Sequence, residues 1–164
     1  MHALDRLMWL MDAPVHSVSA VIGTHLHDQQ ADDLATLFLR MDGGLSGLVG
    51  SYGYRQGGPL NSTHILTEAA SLRVMPDRLD IGCNDAWETL TLPIGKHLML
   101  DALAEEWRDL RAWCREGQIP QVQSEFAGHV MDVVFAAEQS AKEGGEIQLA
   151  VLGRNRGSGG SARL

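Results

Sequence analysis

Apolar residues open the chain at helical spacing. Leu4, Leu7, Met8 and Met11 recur at i, i+3, i+4 and i+7, which sets them on one face of a helix. Asp12 and Pro14 stop that run. The period then shortens to two. Residues 15–25 alternate and are rich in β-branched types, with Val18, Ala20 and Ile22 on one side, so they predict a strand. After the polar stretch Asp28-Gln29-Gln30-Ala31-Asp32, residues 33–41 predict a second strand, apolar on both faces through Leu34, Leu37, Phe38 and Leu39. Asp42-Gly43-Gly44 is a tight hairpin signal, because glycine accepts the positive φ such turns need. Residues 45–54 return as its partner, with Leu48, Tyr52 and Tyr54 on one side.

Beyond the loop Gln56-Gly57-Gly58-Pro59-Leu60-Asn61-Ser62, short strands are expected at 63–66, 71–75, 78–83 and 86–92, with Pro76-Asp77 turning between two of them. Such short connections favour antiparallel neighbours. Two helices follow. Leu100, Leu103, Trp107, Leu110 and Cys114 share one face, and Gly117 then Pro120 end that helix. From Ser124, the positions Phe126, Val130, Val133, Val134, Ala137 and Ala141 line a second helix, stopped by Gly144-Gly145, before a final strand at 146–151. One helix, a run of strands, two helices and a closing strand make an α+β layout: an open, mostly antiparallel or mixed sheet with helices on one face. Residues 1–152 are expected to form that domain, and the Gly-, Ser- and Arg-rich residues 153–164 a mobile tail. Strands apolar on both sides point to a second face that meets another subunit, giving a homo-oligomer.

Composition narrows the partners. A chain of 164 residues buries roughly two-thirds of its unfolded surface and needs no staples. Its net charge of −8, with lysine only at Lys96 and Lys142, argues against nucleic acid, which draws affinity from clustered cations. Cys83 and Cys114 lie far apart and outside any Cys-x-x-Cys pair; the plain expectation is two reduced, packed thiols in a cytoplasmic protein. No apolar run reaches about 18 residues, so membrane spanning has no support. A helix that begins at the second residue suggests a chain cut from something longer.

Three stretches resemble the C-terminal domain of the glucose–fructose oxidoreductase, inositol dehydrogenase and rhizopine-catabolism (Gfo/Idh/MocA) family. The first, His2-Ala3-Leu4-Asp5-Arg6-Leu7-Met8-Trp9-Leu10, is similar to the family's His-x-x-Asp helix, and Val15-His16-Ser17-Val18-Ser19-Ala20 to the strand after it. The second, residues 33–44 from Asp33-Leu34-Ala35 to Asp42-Gly43-Gly44, resembles its Asp-x-Ala strand and glycine hairpin. The third is Gly117-Gln118-Ile119-Pro120 closing one helix, then Ala137-Glu138-Gln139-Ser140-Ala141-Lys142-Glu143-Gly144 closing the next. Their order and spacing make the combination fairly specific.

The resemblance implies a substrate-binding and oligomerisation domain of an NAD- or NADP-dependent sugar or polyol oxidoreductase. It also implies a separate nucleotide-binding domain carrying Gly-x-Gly-x-x-Gly and Glu-Lys-Pro, neither of which this sequence contains. No cofactor is therefore expected on this chain, and no redox catalysis by it alone. The run Gly44-Leu45-Ser46-Gly47-Leu48-Val49-Gly50 has the wrong spacing and sits in a hairpin, whereas a pyrophosphate cradle needs a strand-to-helix turn. A stand-alone binding or assembly module, and a subunit completing a separately encoded nucleotide-binding protein, remain open beside the first reading.

Candidate chemistry follows the resemblance. His2 matches the family histidine that acts as acid or base at the sugar hydroxyl, work that suits an imidazole; set against this, a terminal residue has little to hold its rotamer. Asp5, one turn later, is placed to orient it or bind substrate. Tyr52, Tyr54, Arg55, His64, Trp87 and His97 are the candidate substrate contacts on the sheet; core packing is the commoner use of such aromatics. Glu68 falls where the family has a Gly-Thr-x-Gly turn, here with Ala69 and Ala70. His25-Leu26-His27 with Asp28 offers two alternate imidazoles and a carboxylate, but two ligands do not close a site, and no metal is expected.

Overall fold

The computed structural model describes residues 2–91, 98–120 and 124–150. In chain order its elements are α1 (His2–Met11), β1 (Val15–Gly23), β2 (Leu34–Met41) and β3 (Ser46–Tyr52), then β4 (Thr63–Leu66), β5 (Ser71–Val74), β6 (Arg78–Cys83) and β7 (Ala86–Thr91). Two helices, α2 (Leu98–Glu116) and α3 (Ser124–Glu143), precede the two-residue β8 (Ile147–Gln148). They form two units. One runs to Gly53 and resumes at Glu125; the other is Tyr54–Ser124. The expected tail, 153–164, lies outside the described residues.

The α+β class expected from the sequence holds, and every strand pairing is antiparallel. The strands divide, however, between two four-stranded sheets, β3-β2-β1-β8 and β4-β5-β6-β7, where one sheet was expected. The division falls at residues 53–62, where glycines and Pro59 interrupt the alternation that carries a ladder forward.

In the first unit the strand register settles which side chains share a face. Val18, Leu39 and Gly47 stand in one cross-strand row, and Ala20, Leu37 and Val49 in the next. These positions join Leu4 and Met8 of α1 and Val130, Val133, Ala136 and Ala137 of α3 in one core, so both helices cover the same side of the sheet. Gly47 lets α1 approach: a Cβ there would stand 2.5 Å from Cδ2 of Leu7.

Helix α3 also completes the edge of β1. Because β8 pairs only with Ser17 and Val18, the N–H groups of Val15 and Ala20 need other acceptors. His129 Nε2 accepts from Val15 at 3.0 Å and Ser140 Oγ from Ala20 at 2.9 Å. Eleven helical residues span roughly 16 Å, and so do five extended ones, so two side chains of one helix stripe reach both orphaned donors. Ser140 is 1% exposed and donates in turn to the carbonyl of Gly145, and Gly144, at φ 73°, ends the helix.

The other face of this sheet carries Val21, Phe38, Leu48 and Tyr52, of which Val21, Leu48 and Tyr52 are 57–73% exposed. At its edge Ser17 and Arg40 both donate to Glu146 Oε1, and the Ser17 hydroxyl foremost, then Arg40, hold that carboxyl below its ordinary range.

In the second unit the register again sets two faces, with Leu66 as an exposed apolar residue on the polar one and Thr63 and Glu88 on the apolar one. Ile65, Leu72, Val74, Leu79, Ile81 and Leu90 fall on one side; His64, Arg73, Asp80, Thr89 and Trp87 fall on the other. The stripe Leu100, Leu103, Trp107 and Leu110 is helical as expected, but its side chains are 41–68% exposed. Cys83 and Cys114 are free and exposed, which corrects the expectation of packed thiols: Cys83 ends its strand at the turn through Asn84 and Asp85, and Cys114 stands near the end of α2.

Candidate functional site

The candidate residues divide between the units. His2 and Asp5 stand on the first turn of α1, both exposed, one turn apart. Tyr52 ends β3 on the open face of the first sheet; Gly50 leaves room for its ring, since a Cβ there would lie 2.6 Å from Tyr52 Cε2, and its hydroxyl meets Thr36 Oγ1 at 2.9 Å. Tyr54, Arg55, His64 and Trp87 belong to the second unit, all exposed. His97 lies outside the described residues.

A shallow groove of 390 Å³ in the first unit is lined by His27, Gln29, Asp33, Ser51, Tyr52 and Gly53 among others. Asp33 organises it. Its carboxylate accepts the backbone N–H groups of His25 (2.8 Å), Leu26 (2.9 Å) and His27 (2.6 Å), and His27 Nδ1 lies 3.2 Å away. The N–H of His25 is the largest of these influences, and together they lower Asp33 to about 2 against the partial opposition of desolvation. Asp33 is thus the anchor of the 25–33 loop, and it presents His27 with one ring nitrogen committed. Sequence inspection paired His27 with Asp28; the fold pairs it with Asp33. Among the described residues no three His, Cys, Asp or Glu side chains converge as metal ligands.

The second unit holds a denser polar cluster. Asp80, 6% exposed, accepts from the Thr89 hydroxyl at 2.8 Å and pairs with Arg78 Nε at 3.4 Å and Arg73 NH1 at 3.7 Å. The Arg73 guanidinium also lies 5.1 Å from the centroid of the Trp87 ring. That indole sits against Gly82, where a Cβ would be 3.0 Å from its ring atoms. Two of the sequence candidates, His64 and Trp87, therefore share one face, and His64 faces Arg73 directly across the strand pair. Sequence inspection missed Arg73, Arg78 and Asp80. Their signal was present in the alternation of Arg73 against Leu72 and Val74, and of Asp80 against Leu79 and Ile81, but only strand register shows that they meet.

At Glu68 the turn uses a hydroxyl where the resemblance led to an expectation of glycine. Thr67 Oγ1 accepts the N–H groups of Ala69 (3.3 Å) and Ala70 (3.0 Å), so the alanines need no special backbone freedom.

Residues 1–73 match the GFO/IDH/MocA C-terminal domain family. No curated protein matches the chain. Among solved structures, the chain is similar to an oxidoreductase from Agrobacterium radiobacter in complex with NAD+, L-tartaric acid and magnesium, at 17% identity and a TM-score of 0.75, with 90% of this chain and 46% of that one covered. It is also similar to the aldose–aldose oxidoreductase of Caulobacter crescentus complexed with glycerol (16%, TM-score 0.74, 90% and 45% covered). A third is the WlbA dehydrogenase of Bordetella pertussis in complex with NADH and UDP-GlcNAcA (21%, TM-score 0.69, 92% and 46% covered). At these identities the likeness is one of fold, and the chain spans less than half the length of each of these three structures.

Proposed function

We propose, from the match of residues 1–73 to the GFO/IDH/MocA C-terminal domain and the likeness of fold to solved oxidoreductases, that the chain is the substrate-side and assembly half of an NAD- or NADP-dependent oxidoreductase acting on sugars or polyols. On this reading it binds a polyhydroxylated ligand and forms a homo-oligomer through the open face of the first sheet. Nicotinamide chemistry then belongs to a separate nucleotide-binding domain, and the chain is not catalytic alone. Among the described residues no helix is long and apolar enough to cross a membrane, and a cytoplasmic location fits the reading.

The observation that carries it is the pairing of family match with an uncovered apolar sheet face. Val21, Leu48 and Tyr52 are each more than half exposed, on the side opposite both helices of the first unit. Large apolar side chains grouped in this way mark an association surface, and a two-fold arrangement buries such a face against its own copy. Two of the structures named above support the ligand class: one is of an aldose–aldose oxidoreductase, and another is in complex with UDP-GlcNAcA.

Sedimentation at micromolar concentration tests the assembly. The expected result is a species heavier than the 17.9 kDa chain, reduced to monomer by Leu48→Glu, which puts a charge into the apolar face. A wild-type chain that sediments only as monomer overturns the assembly reading. A parallel thermal-shift series with hexoses and polyols tests the ligand class, and no stabilisation by any of them overturns that part.

A further inference from the structure

We propose that the polar face of the second sheet, at His64, Arg73 and Arg78, is a binding site for the carboxylate or phosphate group of a small anionic ligand. The proposal rests on this unit's own geometry; it shares with the functional reading only the expectation of a sugar-sized ligand.

Charge comes first. The chain carries 21 acidic and 13 basic residues, yet this face gathers two arginines and a histidine around one buried carboxylate. Register places His64, Arg73, Asp80 and Thr89 in a single cross-strand row, with Arg78 and Thr91 paired in another. Glu88 falls on the opposite face, opposite Ile81. The remaining acids of this sheet, Glu68, Asp77 and Asp85, stand in its turns, where Asp77 reaches Arg78 NH1 at 4.0 Å. Asp80 is the one carboxylate that the register sets between the two guanidiniums; Asp77, 65% exposed and at 4.0 Å, is screened by solvent and offsets little of their charge.

Geometry is the second argument. Each arginine side chain is 41% exposed, and a guanidinium has five N–H donors. Arg73 meets Asp80 through NH1 and Arg78 meets it through Nε; these contacts use few of the available donors. Arg73 is also held by the Trp87 ring, itself seated on Gly82. A guanidinium with a carboxylate on one side and an indole ring on another has fewer side-chain arrangements to lose, so an incoming oxyanion gains paired charge-assisted hydrogen bonds at a reduced ordering cost. Asp80 acts as a positioning residue: it sets the guanidiniums side by side and touches no ligand. Trp87 has the same role, because it backs Arg73 and leaves the guanidinium edge to the ligand. Ser71, Thr89 and Thr91 share the face and supply hydroxyls for the neutral part of the ligand.

Calorimetric titration of the full chain with D-glucuronate, D-glucose 6-phosphate and D-glucose tests the site. At least one of the two anions is expected to bind at least tenfold more tightly than glucose, with affinity falling as salt is raised. Glucuronate alone identifies a carboxylate site, glucose 6-phosphate alone a phosphate site, and both together a general oxyanion site; each outcome supports the proposal. Arg73→Gln is expected to weaken the anion tenfold or more. Because that change leaves buried Asp80 with one cation fewer, His64→Glu is the companion variant. It sits exposed on an edge strand, sets a carboxylate opposite Arg73, and is expected to weaken the anion by a similar factor with unchanged circular dichroism. Anions that bind no more tightly than glucose overturn the proposal, as does anion binding indifferent to both variants. If glucose or another neutral polyol binds while the anions gain nothing, this inference fails and the sugar-binding reading stands.

Discussion

His129 holds its place by accepting one hydrogen bond and leaving another unmade. Its Nε2 accepts from the Val15 N–H, so the proton of the neutral ring is on Nδ1, and that atom is buried with no partner among the described residues. Burial lowers its pKa below the ordinary 6.5; Asp132 pulls the other way, and His16 adds a smaller lowering. A base whose folded pKa is depressed stabilises the fold fully above the unfolded value and loses that contribution as pH falls through it. The stability of the wild type should therefore decline from about pH 6.5 downward, where an unfolded histidine takes up a proton and the folded one resists it. His129→Leu strands the Val15 N–H and is expected to cost about 1–3 kcal/mol at neutral pH. It also removes this titration. The difference in urea midpoint between wild type and variant should thus narrow between pH 7.5 and 5.5; a constant difference contradicts the assignment. Along the sequence His129 merely adjoins Val130 of the apolar helix stripe. Its partner lies 114 positions away, which no local pattern records.

At the scale of elements, the agreement between sequence and structure is closest where one residue type decides the local conformation. The strands at 63–66 and 78–83 fall where alternation put them, and Gly43, Gly44, Gly117 and Gly144 take the positive φ that turns and helix ends need. The motif serine of α3 has a reason that emerges only in three dimensions: Ser140 completes the edge of β1 where β8 is too short to do so. Gly47 shows the same dependence. In sequence it looked like part of a glycine run; in the fold it is the floor under Leu7. Gly47→Val should force α1 off the sheet and cost about 1–3 kcal/mol, the range for overpacking a tight contact. Leu7→Ala in the same chain should recover part of that loss by clearing the space. Chemical denaturation of the two single variants and the double variant measures the coupling, and strictly additive losses exclude it.

The whole molecule has two units, each with its own antiparallel sheet. The glycine run at 43–50 occupies the β2–β3 hairpin, whereas a pyrophosphate cradle needs a strand-to-helix turn. Titration of this chain with NADH should accordingly give no saturable fluorescence change below about 100 μM; a dissociation constant under that value, worth roughly 5.5 kcal/mol, would reveal a nucleotide site that the fold does not explain.

By itself the sequence determined the kinds of element, their order and most of their ends, because side-chain periodicity and glycine or proline punctuation act over a few residues. It also carried the family resemblance, through motifs read in order along the chain. What it left to the tertiary structure was which distant residues meet. Asp33 gathers the N–H groups of three residues six to eight positions before it, and Asp80 draws two arginines from neighbouring positions on the same face. A strand's alternation says that such residues share a side, but register across the sheet decides their neighbours, and register is a property of the pairing rather than of either strand.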